Sequence, residues 1–541
     1  MTTPYIIGFS DSARDRALCL FHGAEPVVAI EEERLTRLRH GLDLRDPAES
    51  DQLDLDCGSP AEHTARMRRM ADYCLSAAGV SESDVRLWIG TSRHPVSPLL
   101  DRAVHVNHDL AHAASAFYGS PAKQAAVLVL DGSGDEAGSG SRETVSVYRG
   151  DERGLTLLQH VSGRRDETHL TNSAGVLQRI GTVLSGFAAV DEDKAMTLAA
   201  CGTPRHLDQL LARMRFGDTT VDIDNHGIWK TMRELPATTF EERADLAASF
   251  QAALERAVLF YARRARQLTG CDVLCLAGGP ALNAAVNQRV LVEGGFDDVF
   301  VSPAAANGIS LGAAYYGAHV VFGLERTDGL ATPCLGQAYT RSETAQALAE
   351  ADVRLEISDV GPAECARRAA AHLADGEPVM WFQEGSEIGR RALGHRSVFG
   401  DPRTADTLER IKEAVRSEEP VGSLTPIVLE EDAAEWFDCG RSPHMLFAPS
   451  ARPRTAELAP AVVHVDGTAR VQTLSAADNP VVHLMLREFL RRTGVPLVTN
   501  TAFSLRGEPI VETPAEAVAA WCESPVRVLC ADGFHAVKRD R

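Results

Sequence analysis

The chain contains no run of 18 consecutive apolar residues, so no segment reads as an ordinary membrane-spanning helix. Its first residues, MTTPYIIGFSDSARD, lack a basic segment followed by an apolar run, and no secretion signal is expected. The 11 cysteines are scattered, odd in number and without a CxxC pair. That pattern argues against a disulfide framework and for reduced thiols in a cytoplasmic setting. Positive charge is scarce: 55 Lys and Arg against 75 Asp and Glu leave a formal charge of −20. Binding of nucleic acid along a large surface is therefore not expected. Low-complexity tracts and repeats of 20–50 residues are missing as well. What remains is an ordinary globular composition, 44% apolar and 24% charged. The length, 541 residues, exceeds what one core usually supports and calls for two or more domains.

Against this acidic background, residues 383–403 (QEGSEIGRRALGHRSVFGDPR) gather four arginines and a histidine in 21 residues. A solvated basic face would carry its arginines along a helical stripe. Here they lie among glycines, with Ala392, Leu393, Val398 and Phe399 interleaved. Glycine admits close backbone approach, and the arginine fork matches phosphate or carboxylate geometry. The segment reads as a small-anion pocket.

YIIGFS, ALCLF and PVVAIEEERL read as short strands, and residues 62–79 as a helix. RLWIGTS is a further strand and VNHDLAHAASAFYG a further helix. AAVLVLDGSGD is a buried strand ending at Asp131, and DVLCLAGG another running into Gly278 and Gly279. Residues 205–270 read as mostly helical. VFVSPA followed by GISLGAAYYGAHV repeats strand, loop and helix. The turns at 126–134 and 273–279 are what a nucleotide- or phosphate-binding α/β fold shows, making Gly132, Gly134, Gly278 and Gly279 candidate contacts. The polar stretch near 338–358 is the expected domain boundary.

His108 and His112 are spaced i, i+4, which puts both imidazoles on one helix face, as a two-histidine metal site requires. Asp131 is placed to complete it, and two histidines with a carboxylate suit Fe(II), Mn(II) or Zn(II). Chance also yields such spacings among 18 histidines. Asn283 and Asn287 lie one helical turn apart and are candidates to face one ligand. The run Glu31–Arg34 (EEER) reads as an exposed charged turn. Arg470, and Asn500, Thr501 and Arg506 after the buried strand VPLVTN, fit either a binding edge or a plain strand-to-turn transition.

Ten strings occur in order along nearly the whole chain: EEERLTRLRHG, HDLAHAASAFY, LVLDGSG, DKAMTLAACG, GGPALN, GISLGAA, GRRALGHRSVFGDPR, LEEDAAEWF, HVDGTARVQT and TGVPLVTNTAFSLRGEPIVETP. Together they resemble the carbamoyltransferase family that includes cephamycin, novobiocin and tobramycin O-carbamoyltransferases and a nodulation protein. The resemblance implies an α/β protein with two domains. Residues 1–345 would form an actin/Hsp70-like ATPase-type domain, similar to tRNA threonylcarbamoyl transferases, and residues 355–541 a YrdC-like α/β domain. It further implies that the C-terminal domain joins carbamoyl phosphate and ATP, with Mg²⁺, into carbamoyl-adenylate. The N-terminal domain would pass the carbamoyl group to a hydroxyl or amine of a small-molecule natural product, as in antibiotic biosynthesis. By the same resemblance Arg391, Arg396, Arg403, Arg416 and Arg470, with Asn500 and Thr501, hold phosphate and developing charge. Asn283 and the glycine turns would meet the nucleotide. His108, His112 and Asp131 match the family's metal ligands, with Fe(II) the implied ion, and Asp15 matches a catalytic aspartate. A second copy or an active paralogue is a further candidate partner.

The departures lie near the chemistry. Arg14 stands where the family has a histidine thought to act in transfer, and PAAANG offers Ala306 or Asn307 where it has a fourth, aspartate ligand. Gly385 replaces an arginine and Arg390 a proline. Arg416, Glu418 and Gly422 stand at three basic positions, and Ala502 and Ser504 alter the NTSFN loop. Two alternatives follow: an adenylate-forming ligase with another donor, or a degenerate partner subunit. The acceptor pocket is expected in the segments 41–66 and 204–246.

Overall fold

A computed structural model describes residues 3–11, 16–39, 60–92, 102–138, 140–166, 169–416 and 424–539. Arg14, Asp15, Glu418, Gly422 and most of 41–66 lie outside the described residues. The chain divides into two compact units, 1–32 with 40–331, and 33–39 with 332–541.

The first unit holds two sheets built alike. In one, β1 (Tyr5–Asp11), β2 (Ala17–His22), β3 (Glu25–Glu31), β4 (Val85–Ser92) and β5 (Val104–His105) are ordered β3-β2-β1-β4-β5. In the other, β6 (Ala125–Leu130), β7 (Ser141–Asp151) and β8 (Gly154–Asp166) are followed by the short β9 (His169–Leu170). After the hairpin β10 (Met214–Phe216) and β11 (Val221–Ile223) come β12 (Val273–Ala277) and β13 (Asp298–Val301). Its order is β13-β12-β6-β7-β8-β9. In both sheets the first strand pairs antiparallel with the next in sequence and parallel with a later one, β4 in the first sheet and β12 in the second, so the same pairing pattern occurs twice. The parallel strands β6 and β12 (AAVLVL and VLCLA) are almost wholly buried, which is why they read as unbroken apolar runs. Residues 205–270 are helical at Leu207–Leu211, Asn225–Met232 and Phe240–Thr269, but β10 and β11 interrupt them. The last of these helices is bounded by a Thr239–Glu242 capping box and a left-handed Gly270.

The second unit is one eight-stranded sheet. Its strands are β14 (Leu355–Asp359), β15 (Val379–Phe382), β16 (Arg396–Gly400), β17 (Thr425–Leu429), β18 (Gln472–Leu474), β19 (Leu497–Ala502), β20 (Val528–Ala531) and β21 (Phe534–Lys538). They are ordered β14-β21-β20-β15-β16-β19-β17-β18. One face packs a core around Trp381, Phe399, Trp436 and Phe489, the other a core around Phe382, Phe503 and Trp521. The division between units falls at 331/332 rather than between 345 and 355. The helix Arg341–Ala349 and β14 belong to the second unit, and β14 reads as a polar linker because it is a largely exposed edge strand. Among the described residues no helix is long and apolar enough to cross a membrane.

Candidate functional site

Three turns converge at the carboxyl ends of the parallel strands β6, β12 and β13, where α/β sheets place their ligands. Gly278, after β12, has φ +91°, and a Cβ there would lie 1.9 Å from the Leu130 carbonyl oxygen. Its amide donates to the Ala305 carbonyl across 2.9 Å. The helix His108–Tyr118, capped by the Asn107 side chain accepting from the Leu110 amide, faces this point. One ligand atom each from His108, His112 and Asp131 all lie within 4.8 Å of one another. His108 Nε2 and Asp131 Oδ2 are 2.9 Å apart. The His112 Nδ1 is buried without a hydrogen-bond partner. Burial, reinforced by His108, pushes His112 down to about 3, so its imidazole is neutral. Burial opposes ionisation of Asp131, yet the hydrogen bond and charge of His108 hold its carboxyl well below the usual range. A neutral imidazole, a second imidazole and a carboxylate are the donor set a divalent transition cation takes.

The flanking glycines serve close packing. A Cβ at Gly132 would lie 2.8 Å from the Arg179 guanidinium, and one at Gly134 2.7 Å from the Asp109 carboxylate. Ser173 caps the next helix and donates to the carbonyls of Asp131 and Gly132. Gly279 has open space around it. Asn283 and Asn287 have separate partners within the protein. Asn283 caps the helix Ala284–Glu293 and exchanges hydrogen bonds with Gln251, while Asn287 donates to the Ala281 carbonyl at 2.7 Å.

The EEER run is not an exposed turn. Glu31, Glu32 and Arg34 are buried, at 3%, 3% and 1% exposure. Glu31 accepts from the Asn307 side-chain amide at 2.6 Å. Glu32 joins a buried ionic cluster: Arg16 donates to Glu32 at 2.9 Å and to Asp11 at 3.3 Å, and His63 Nδ1 lies 3.2 Å from the same Asp11 oxygen. The sequence reading missed Asp11, Arg16 and His63, because only the fold brings residue 63 to the end of β1. Asn307 Oδ1 is buried without a hydrogen-bond partner.

In the second unit Glu387 organises the arginine-rich loop. Its Oε1 accepts from the amides of Leu393, His395 and Arg396 at 2.7, 2.8 and 3.2 Å. Burial opposes its charge, but His395 and these amides hold the carboxyl below the usual range. Arg34 donates to the carbonyls of Glu387 and Gly389 in the same loop. Three of the expected anion-binding arginines are engaged internally. Arg396, fully buried, donates to the carbonyls of Gln383, Glu384, His395 and Glu512 and lies over the Phe382 ring. Arg403 grips Asp401 at 2.8 and 2.9 Å. Arg416 reaches the Glu523 carbonyl and carboxylate, and Arg506 also pairs with Glu523. Gly385 leaves no room for an arginine, since a Cβ would lie 2.2 Å from the Gly336 carbonyl oxygen.

Other residues do come together. Asn500 on β19 stands opposite both Phe399 and Thr425, and Thr425 accepts from Arg470 at 3.4 Å. Asn500 Nδ2 donates to the Ala392 carbonyl at 2.9 Å, next to Arg391, and to Gln472 Oε1 at 3.1 Å. Gln472 in turn donates to the Leu393 carbonyl at 2.9 Å. Thr501 lies opposite Val398 and Ala502 opposite Ser397, so both belong to the β16–β19 pair, while Ser504 follows it. Beyond the carboxyl ends of the parallel strands β15 and β20 lies a cavity of about 230 Å³ lined by Tyr339, Trp381, Gln383 and Asp532, among others.

These two polar centres coincide with the chain's similarities. The family described as carbamoyltransferase N-terminus matches residues 98–315, and that described as carbamoyltransferase C-terminus matches 370–538. The nodulation protein NolNO of Sinorhizobium fredii is 32% identical over 97% of this chain and 79% of its own length. The nodulation protein NolO of Bradyrhizobium diazoefficiens is 33% identical over 80% of this chain and 79% of its own length. Component A of (R)-2-hydroxyglutaryl-CoA dehydratase from Acidaminococcus fermentans is a distant structural likeness. It is 16% identical with a TM-score of 0.36, covering 58% of this chain and 97% of that one. The chain belongs to the carbamoyltransferase family and is an enzyme of that family.

Proposed function

We propose that the protein is an ATP-dependent carbamoyltransferase of secondary metabolism. Its second unit would form carbamoyl-adenylate from carbamoyl phosphate and ATP with Mg²⁺. Its first would transfer the carbamoyl group to a hydroxyl or amine of a small-molecule natural product. The first unit is read as an actin/Hsp70-like ATPase type, a reading supported by the strand pattern it contains twice. The second is read as a YrdC-like domain.

The observation that carries the transfer reading is the buried grouping of His108, His112 and Asp131. These three would hold one divalent metal, Fe(II) by the resemblance, and the unpartnered His112 Nδ1 fits such an ion. Bound there, the ion supplies Lewis-acid polarisation of a carbonyl. In the second unit Arg391 and Arg470 bind and orient the phosphate, with Asn500 and Thr425 beside them. Arg396 and Glu387 keep the intervening loop in place. The engagement of Arg396 and Arg403 within the protein favours a second reading, an adenylate-forming ligase with a less highly charged donor. The two part on one assay. Carbamoyl phosphate supports pyrophosphate release in the first reading, and only another carboxylate does so in the second.

A further inference from the structure

We infer that the cavity beyond the carboxyl ends of β15 and β20 is a binding site for a small organic amine with an apolar body. The inference does not depend on the reading of carbamoyl phosphate as the donor. The cavity holds about 230 Å³. That lies below the roughly 300–1,000 Å³ of drug-sized sites and suits a molecule of about one ring. Tyr339, Trp381, Phe382 and Val481 give it apolar walls, and Glu384 and Asp532 add two carboxylates.

These walls are held in place from behind. Trp381 Nε1 donates to Gln383 Oε1 at 3.1 Å, and Gln383 Nε2 donates to Asn479 Oδ1 at 3.3 Å. The Arg396 guanidinium lies 3.6 Å from the centre of the Phe382 ring. Glu384 and Asp532 are joined to each other, the Glu384 amide donating to Asp532 Oδ1 at 3.0 Å. Their φ angles, +47° and +45°, are left-handed in two residues that are not glycine. Such backbone is strained, and it clusters at ligand sites.

Charge says what the ligand is. Asp532 is half-buried, and its second oxygen accepts from the Thr344 hydroxyl at 2.8 Å. Both of its donors are neutral, and among the described residues no cationic side chain forms an ion pair with it. Arg341, also in the cavity wall, is engaged by the Asp359 carboxylate and the Asp532 carbonyl. Arg396 donates to four carbonyls. Taking a carboxylate out of water without a cation is costly, and Glu384 adds like charge beside it. An ammonium group supplies the missing cation, and aromatic walls favour it further. The same two carboxylates repel phosphates, which sets this cavity apart from the arginine-lined site.

The test titrates the full chain with three one-ring probes, 2-phenylethylamine, 2-phenylethanol and 3-phenylpropionate, by calorimetry or ligand-observed NMR. The amine is expected to bind at least about 10-fold more tightly than the alcohol, and the anion not to bind. Asp532→Asn keeps the shape and suits left-handed backbone, and is expected to reduce the amine to the affinity of the alcohol. Ala338, exposed in the cavity wall, offers a second variant. Ala338→Trp is expected to close the cavity and abolish binding of amine and alcohol alike. Equal affinity of the two for the wild type overturns the inference, as does amine binding unchanged in Asp532→Asn or retained in Ala338→Trp. Adenosine that binds more tightly than the amine, and is lost in Ala338→Trp, also overturns it by giving the cavity to a nucleotide.

Discussion

Asn307 donates its side-chain N–H to the Glu31 carboxylate across 2.6 Å, and this fixes the direction of an amide whose oxygen is buried without a partner. Two residues earlier, the Ala305 carbonyl accepts from the Gly278 amide across 2.9 Å. One residue later, Gly308 packs so tightly on Ser115 that a Cβ would lie 2.4 Å from its hydroxyl. Asn307 thus lies beside a glycine packed against the helix that carries His108 and His112, and it is one of the two residues, with Ala306, that the resemblance sets where an aspartate ligand is expected. Co(II) titration followed by its visible absorption is expected to show a weakening of about 10-fold in Asn307→Ala and tighter binding in Asn307→Asp. His108→Ala is expected to abolish the signal. Identical Co(II) affinity and spectrum in Asn307→Ala would remove that residue from the site.

Gly278 and Gly279 are adjacent but not equivalent. At Gly278 a Cβ meets the Leu130 carbonyl at 1.9 Å with φ at +91°, whereas Gly279 has nothing within 4 Å. Gly278→Ala is expected to lower the thermal midpoint by several degrees, from a cost of about 2 kcal/mol or more, and Gly279→Ala to leave it unchanged. Equal midpoints in the two variants would contradict the convergence of turns described above.

Much of the first unit's site was legible because its signals are local. The histidine spacing names a helix face, and an apolar run ending in Asp131 names a strand end. Residues whose partners are distant in sequence were not legible. Glu31 and Glu32 look like solvated charges until Asn307 and Arg16 are brought to them, and His63 gives no sign of meeting Asp11. In the second unit the arginine-rich segment was visible, but its division of labour was not. Arg391 and Arg396 are alike in sequence, and only the sheet shows Arg396 donating to four carbonyls. Glu387, which organises the loop through three amides, is one acidic residue among many. The edge strand β14 passed for a linker because exposure removes the alternation that marks a half-buried strand.

This division of labour is measurable. Arg391→Ala is expected to lower kcat/KM for carbamoyl phosphate by on the order of 100-fold. Arg396→Ala, which orphans several buried carbonyls, is expected to lower the midpoint first and activity only as a consequence. Full thermal stability with selective loss of donor affinity in Arg396→Ala would reverse the assignment.

Two histidines of the second unit tie its stability to pH. Burial, reinforced by Arg470, pushes His464 down to about 4, and burial with His372 does the same to His535. Their folded values lie below the ordinary 6.5, so the folded state resists protons that the unfolded chain accepts. Their contribution is fully present above about pH 6.5 and is lost as pH falls toward 4, with a slope of up to about 1.4 kcal/mol per pH unit for each proton. Denaturant unfolding followed by tryptophan fluorescence is expected to show a midpoint steady above pH 7 and falling below 6.5. His535→Phe is expected to flatten that fall, and a midpoint unchanged down to pH 4.5 would contradict the assignment.

The central claim is that the second unit activates a carbamoyl group for the first to transfer. Its most direct test is to incubate the full chain with ATP, Mg²⁺ and carbamoyl phosphate, follow pyrophosphate, and look for carbamoyl-adenylate by mass spectrometry. The account predicts pyrophosphate release that depends on carbamoyl phosphate, together with the mass of the adenylate. Protein that binds ATP but yields neither would contradict it.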